Sequence, residues 1–520
     1  PCTVDACDEA AGAVTHTPDD GQCVTGGLCV LEGCDPLLGC FSSPIANCCG
    51  NGLVEAGESC DDGNTDDTDG CTNACKLPAV EQVSGGFRHT CVRFQGGTVK
   101  CWGWNAWGQL GPAGPGAIGD EPDEMGAGLL AVDLGTLAGG GIDWPIDVHV
   151  GGNQACAVLT SGSVKCWGNN VYGQLGLGNK TSVGSQADGM GDALPSLDLG
   201  TDGAGDKLLA LDVTTAPKHS CAILEGGGVK CWGDNVYGQL GVGDTDTRGD
   251  EPGEMGDALP FVDLGTDDAG APLVAIHLSN SEWHSCAILV GGGLKCWGKN
   301  QYGELGLGDS DNRGDDPDEM GDALPFVNLG TDEGGEPLGV VDVSARNSST
   351  CAILEGGAVK CWGYGGPSLG LGAGGGNRGD APEELGDDLP FVETGDGLEA
   401  ILLSPGPCAL FTNDRMKCWG YNDHGQLGLG DTENRGGADG EMGDALPFLD
   451  LGSDGSGAPL GVSAITSGAK HTCAALIDGR VKCWGQNDDN GGQLGLGDTD
   501  DRGDAPGEMG DALPVVGLGQ

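Results

Sequence analysis

The chain has 520 residues, 104 of them glycine and only 5% aromatic, too long and too glycine-rich for one ordinary apolar core, so an array of small stacked units is expected. Asp plus Glu number 79 against 23 Lys plus Arg, and a formal net charge of -56 repels phosphate backbones and excludes nucleic acid as a partner. No run of about 18 apolar residues is present, so no membrane span is expected.

Residues 1 to 48 carry Cys2, Cys7, Cys23, Cys29, Cys34, Cys40 and Cys48 with little periodicity, so disulfides rather than an apolar core are expected to hold them. From Cys49 the chain reads CGNGLVEAGESCDDGNTDDTDGCTNACKL, with Cys49, Cys60, Cys71 and Cys75. The CGNG, GE, CDDGN and DGC pieces resemble the myxobacterial cysteine-rich repeat of secreted bacterial proteins over residues 49–78, which implies export and a multidomain surface architecture. Asp61, Asp62, Asn64, Asp66 and Asp69 offer hard oxygens that suit Ca²⁺, or solvated Asx turns in a disulfide knot.

Beyond Ala79 one unit is written seven times. Its CWG triplet begins at Cys101, Cys166, Cys231, Cys296, Cys361, Cys418 and Cys483, at steps of 65 residues with one of 57. Ten residues before each lies a second cysteine: Cys91, Cys156, Cys221, Cys286, Cys351, Cys408 and Cys473. Two short apolar runs around a Gly-rich break, such as AIL, EGGG and VK, predict a β-hairpin that faces the two cysteines across the ladder, within reach of a disulfide. Fourteen of the 25 cysteines are used in this way, and eleven remain before residue 76. Regular pairing of this kind predicts an oxidising compartment, extracellular or at the cell surface, and the odd remainder predicts a free thiol or an intermolecular bridge.

Each unit reads as an entering strand, the hairpin, a YGQLG segment, an acidic loop and an ALPFVDLG strand, so four strands per unit in a seven-fold array predict an all-β, seven-bladed β-propeller over residues 79–520. The pattern GxxHSCxIxxGGGVKCWGxNxYGQLGLG resembles the regulator of chromosome condensation repeat family, whose members form seven-bladed propellers. The first unit has no ALPFVDLG-type segment in front of it, so the terminal copy, 512–519, is expected to complete the first blade.

The acidic loops are the leading site candidates. Asp244, Asp246, Asp250 and Glu254 space carboxylates along a Gly-containing loop, as do Asp309, Asp311, Asp315 and Glu319, and Asp498, Asp500, Asp504 and Glu508. A Ca²⁺ shell needs six to eight such oxygens, so calcium is the expected cofactor, against a reading as solvated loops with Arg248, Arg313 or Arg502 in local ion pairs. The RGD triplets in these loops recur at one repeat position and read as structural duplication. The tryptophans of CWG are expected to pack between blades, whereas Trp104, Trp107, Trp144 and Trp283 break the pattern and suggest a contact surface. His89, His219, His284 and His471 precede hairpin cysteines in separate blades; in the resembled family this position is a structural, hydrogen-bonding histidine.

No GxSxG elbow, HExxH pair or phosphate loop is present, so no catalytic residues are nominated and a non-enzymatic protein is expected. The sequence favours a secreted structural or adhesive protein, a subunit of an extracellular fibre or surface assembly that self-associates through its N-terminal extension. The alternative is a soluble propeller that captures a protein or glycan ligand. Either way, function is expected where the blades differ, in the loops between GLG and ALP and in the segment before Ala79.

Overall fold

The computed structural model describes residues 79–519 except 112–115, 138–139, 187–188, 373–375, 407 and 488–490, together with the backbone of four strands near the start of the chain. Those four are β1 (Thr3–Asp8) and β2 (Ala13–Pro18), and β3 (Val30–Asp35) and β4 (Gly39–Pro44), paired as two antiparallel hairpins. The eleven N-terminal cysteines, the resemblance over 49–78 and the candidate calcium ligands Asp61 to Asp69 otherwise lie outside the described residues.

The compact unit Val80–Leu518 is a ring of seven three-stranded antiparallel sheets. In chain order the first blade is β5 (Val80–Gly85), β6 (His89–Phe94) and β7 (Val99–Gly103), and the second is β8 (Pro145–Val150), β9 (Gln154–Leu159) and β10 (Val164–Gly168). The third is β11 (Ala210–Thr215), β12 (His219–Leu224) and β13 (Val229–Gly233), and the fourth is β14 (Ala275–Asn280), β15 (His284–Leu289) and β16 (Leu294–Gly298). The fifth is β17 (Val340–Arg346), β18 (Ser349–Leu354) and β19 (Val359–Gly363). The sixth, where the 57-residue step falls, is trimmed to β20 (Ala400–Leu403), β21 (Cys408–Phe411) and β22 (Met416–Cys418). The seventh is β23 (Val462–Ser467), β24 (His471–Leu476) and β25 (Val481–Gly485).

The hairpins form as the spacing predicts. Cys221 faces Cys231 in the ladder, and all seven such pairs are disulfides with Cα atoms 4.0–4.1 Å apart. Gly226 and Gly227 turn the chain at φ 90° and 80°, where a side chain would be strained. The apolar faces close between blades, not within them. One cluster joins Ile223 and Val229 of the third blade to Ala275, Leu278 and Trp297 of the fourth, and another joins Val481 of the seventh to Val80, Val83 and Trp102 of the first. Each CWG tryptophan is buried at such a seam, and its indole N–H donates to a backbone carbonyl of the preceding blade, as Trp232 Nε1 does to Gln174 O at 3.0 Å.

Two expectations are corrected. The ALPFVDLG segment does not pair as a fourth strand. Pro260 has no N–H to give, and the segment's ladder contact is one bond, Val262 N to Val229 O at 2.8 Å. A carbonyl further along, that of Leu264, is taken instead by Lys295 of the next blade, whose Nζ also donates to Gly321 O, at 2.8 and 2.9 Å. Nor does the terminal copy complete the first blade. Val516 N bonds Val481 O of its own blade, and the first blade has its own segment, with Val132 N on Val99 O. Closure comes from the inter-blade latch: Lys100 Nζ of the first blade donates to Leu518 O at 2.7 Å, and Gly126 N donates to Gly517 O at 2.8 Å.

Candidate functional site

The innermost strands β5, β8, β11, β14, β17, β20 and β23 enclose a central channel of about 740 Å³. Alternation along an extended strand turns every second residue inward, so the channel is layered. The layer of Gln82, Asp147, Asp212, His277 and Asp342 is charged. The next, with Ser84, His149, Thr214, Ser279, Ser344 and Thr466, is mostly hydroxyl. In the charged layer Gln82 Nε2 donates to Asp147 Oδ1 at 2.7 Å, and His277 lies 3.5 Å from Asp342. Burial, helped by the neighbouring Asp147 carboxylate, pushes Asp212 up to about 8, and the two carboxyls share a hydrogen bond.

The two ends of the channel differ. The ladders set His89 against Gly103 and His284 against Gly298, so the residues just before the second strand and just after the third lie at the same end. There the aromatic residues collect. All five tyrosines of the chain, Tyr172, Tyr237, Tyr302, Tyr364 and Tyr421, follow a CWG triplet within four residues, as do Trp104 and Trp107, and Trp283 directly precedes β15. Tyr237 meets Trp283 edge-on with centroids 5.3 Å apart, and Tyr302 meets Tyr364 at 5.0 Å. Lys218 Nζ sits 3.6 Å from the Trp283 ring centre and 5.2 Å from that of Tyr172, and Lys299 Nζ sits 5.0 Å from that of Tyr302. Trp107, Tyr172, Tyr364 and Tyr421 are 37–47% exposed. This crown of aromatics and cations surrounds one mouth of the channel.

The sequence singles out three members of the crown, Trp104, Trp107 and Trp283. Trp144 goes to the other end, where its carbonyl accepts from Thr160 N beside a hairpin turn. Tyr172, Tyr237 and Tyr302 belong to the YGQLG-type segment of the repeat and read as scaffold, whereas Tyr364 and Tyr421 directly follow CWG where the pattern breaks.

The acidic loops are engaged residue by residue. Asp244, Asp309 and Asp498 each accept from the arginine four residues on, Arg248, Arg313 and Arg502, at 2.6 Å. They also take the backbone N–H of Asp246, Asp311 and Asp500 at 2.9 to 3.1 Å. Glu254, Glu319 and Glu508 cap turns, accepting from the N–H of Gly249, Gly314 and Gly503 at 2.9 to 3.0 Å. Asp250 pairs with Lys180 at 2.7 Å, Asp315 accepts from Asn312 at 3.2 Å, and the Asp504 backbone packs against Gly425 of the preceding blade. Among the described residues no group of three or more His, Cys, Asp or Glu side chains is placed to hold a metal ion.

The four histidines are buried, and three of them reach the next blade. His219 Nε2 meets Ser285 Oγ at 2.8 Å, His284 meets Thr350 at 2.9 Å and His471 meets Thr90 at 2.9 Å. Burial lowers His89, His219 and His284 to about 3 and His471 to about 4. Because the folded values lie below the ordinary 6.5, this contribution is complete above pH 6.5 and is lost as pH falls toward 3, by up to ~1.4 kcal/mol per pH unit per histidine. Asp212 has the opposite sign, its contribution being lost as pH rises from about 4 toward 8. His219→Gln, copying Gln154 of the second blade, is expected to flatten the acid limb of urea-unfolding stability between pH 6.5 and 4. An unchanged slope would contradict this.

The sequence pattern of the Regulator of chromosome condensation (RCC1) repeat matches residues 80–109, 146–174, 217–239 and 462–491, and a second pattern for the same repeat matches 418–475. The chain carries RCC1 repeats. The RCC1-repeat region is 27% identical over 433 residues to the ultraviolet-B receptor UVR8 of Arabidopsis thaliana, covering 81% of this chain and 79% of that one. It is 28% identical over 410 residues to the E3 ubiquitin-protein ligase HERC2 of Homo sapiens, covering 78% of this chain but only 7% of the ligase. Human WBSCR16 superposes with a TM-score of 0.55 at 18% identity, covering 77% of this chain and 86% of that one, a likeness of fold alone.

Proposed function

We propose that the chain is a non-enzymatic binding module, stapled by its disulfides for an extracytoplasmic setting, that takes a protein partner on the aromatic crown. The observation that carries this reading is that all five tyrosines and three of the four tryptophans outside the repeat gather with cations at one mouth of the channel. Tyr, Trp and Arg are the residue types that dominate protein contact surfaces, because they cover area at little entropic cost. The relatives support the reading at the level of propellers, and the ligase is matched over too little of its length to lend its activity.

Secretion, self-association through the segment before Ala79 and calcium at the acidic loops belong to the same proposal as separate parts. Light scattering under non-reducing conditions tests the second, and calorimetry with Ca²⁺ tests the third. For the crown, Trp283→Ala and Tyr302→Ala are expected to abolish complexes seen by native electrophoresis of the secreted protein. Leu211→Ser and Ile276→Ser, exposed at the opposite end, are expected to leave them unchanged. Equal loss from both pairs would refute the crown as the binding face.

A further inference from the structure

The channel holds one side chain that its equivalents in the ring do not. Three residues before the start of the second strand, the blades carry Gly86, Gly151, Ala216, Ser281 and Gly468, whose backbone N–H bonds the first residue of that strand in a tight turn. The fifth blade carries Arg346. Its innermost strand β17 runs one residue longer than the usual six, pairing Arg346 with Ser349. Arg346 lines the channel at 8% exposure, and among the described residues its Nε, Nη1 and Nη2 have no hydrogen-bond partner.

A buried, uncompensated guanidinium is strongly unfavourable, and this chain has 79 Asp and Glu with which to avoid it. The acid nearest in sequence on the same strand, Asp342, is committed elsewhere, accepting from Val343 N at 2.9 Å and Leu403 N at 2.7 Å. The other cations near this mouth are already matched, Lys218 with Glu282 at 3.1 Å and Lys470 with Asp423 at 3.3 Å. Burial lowers Arg346 only to about 9, so it remains charged at neutral pH.

We propose that Arg346 is the receptor for a carboxylate carried by a polypeptide that enters the channel mouth, an Asp or Glu side chain or a C-terminus. The inference rests on the binding-module reading. The guanidinium fork matches one carboxylate with two parallel bonds. A phosphate dianion would bring two charges to a single cation above the acidic layer of Asp147, Asp212 and Asp342. The adjoining layer of hydroxyls, Ser84, Thr214, Ser279 and Ser344 among them, is neutral and offers both donors and acceptors, which suits a peptide backbone. A channel of about 740 Å³ has room for a short segment.

The test is calorimetric titration of the full chain with acetyl-Gly-Gly-Asp-Gly-Gly-amide, its Asn counterpart, Gly-Gly-Gly with a free carboxylate, and acetate. The Asp peptide or the free C-terminus is expected to bind at least tenfold more tightly than the Asn peptide, and to show which carboxylate is preferred. Arg346→Met is expected to lose that binding at least tenfold while its Tm rises, and Arg346→Lys to fall between. Binding of the Asn peptide as tight as that of both carboxylate-bearing peptides, binding by none, unchanged binding in Arg346→Met, or a lowered Tm in that variant would each overturn the proposal. Acetate displacing the peptide one-for-one would overturn the polypeptide source. These outcomes leave the crown reading untouched, because that reading is scored on complexes of the Trp283 and Tyr302 variants.

Discussion

Deleting residues 510–520 is expected to abolish cooperative folding of the whole ring, not merely to loosen one blade. The segment buries Leu513, Val516 and Leu518 at 1%, 5% and 7% exposure, in the seams on both sides of the seventh blade. Three such side chains represent roughly 5 to 9 kcal/mol of lost burial, on the scale of the net stability of a typical domain. The deletion also removes the carbonyls of Leu518 and Gly510, which accept from Lys100 and Lys482, leaving two ammonium groups short of acceptors. A propeller opened at one seam exposes an edge and an apolar face on each side of the break. Calorimetry should therefore find no single sharp transition for the truncated chain, and hydrogen exchange should be fastest in β5, β24 and β25. A truncated chain that melts as the full one does would show that closure lies elsewhere.

Lys295→Met carries the second large expected effect. Lysine is ordinarily a surface residue, yet Lys295 is 2% exposed, with its ammonium on two carbonyls of neighbouring segments and 4.9 Å from the ring centre of Phe326. Met fills much the same volume but leaves Leu264 O and Gly321 O buried without a donor. An unmet buried acceptor costs about 1 to 3 kcal/mol, so the pair should cost ~2 to 6 kcal/mol. Lys180→Met is the control. Its ion pair with Asp250 is 58% exposed on the lysine side, and such pairs contribute at most about 1 kcal/mol. Denaturant midpoints of the two variants should differ accordingly, and similar midpoints would mean that the latch is not structural.

The same lysine shows where the sequence could and could not be read. The period, the hairpins and the cysteine pairing were legible because each depends on residues close in the chain: ten residues fix which cysteines face each other. The fourth strand was misread for a non-local reason. ALPFVDLG alternates like a strand, but Pro260 cannot donate, and Lys295 of the next blade claims a carbonyl a ladder would otherwise use. The signal was available in the invariable Lys after the hairpin turn, a charged residue kept at a position flanked by buried ones.

The site was less legible than the fold. Carboxylate spacing drew attention to the loops around Asp244 and Asp309, but spacing along a chain does not make oxygens converge, and here arginines and turn N–H groups hold them individually. In the sequence Arg346 stands in SARNSS, with nothing local to mark it. Its peculiarity appears only when the ring aligns it with Gly86, Gly151, Ala216, Ser281 and Gly468.

Hydroxyl-radical footprinting of the purified chain against the same chain in its native material tests the binding face most directly. The account predicts that Trp107, Tyr172, Tyr364 and Tyr421 are protected in the native material, while Phe261, Phe326 and Phe391, about 50% exposed on the ALPFVDLG segments, are labelled equally in both. Unchanged labelling of the crown, or protection confined to those phenylalanines, would contradict it.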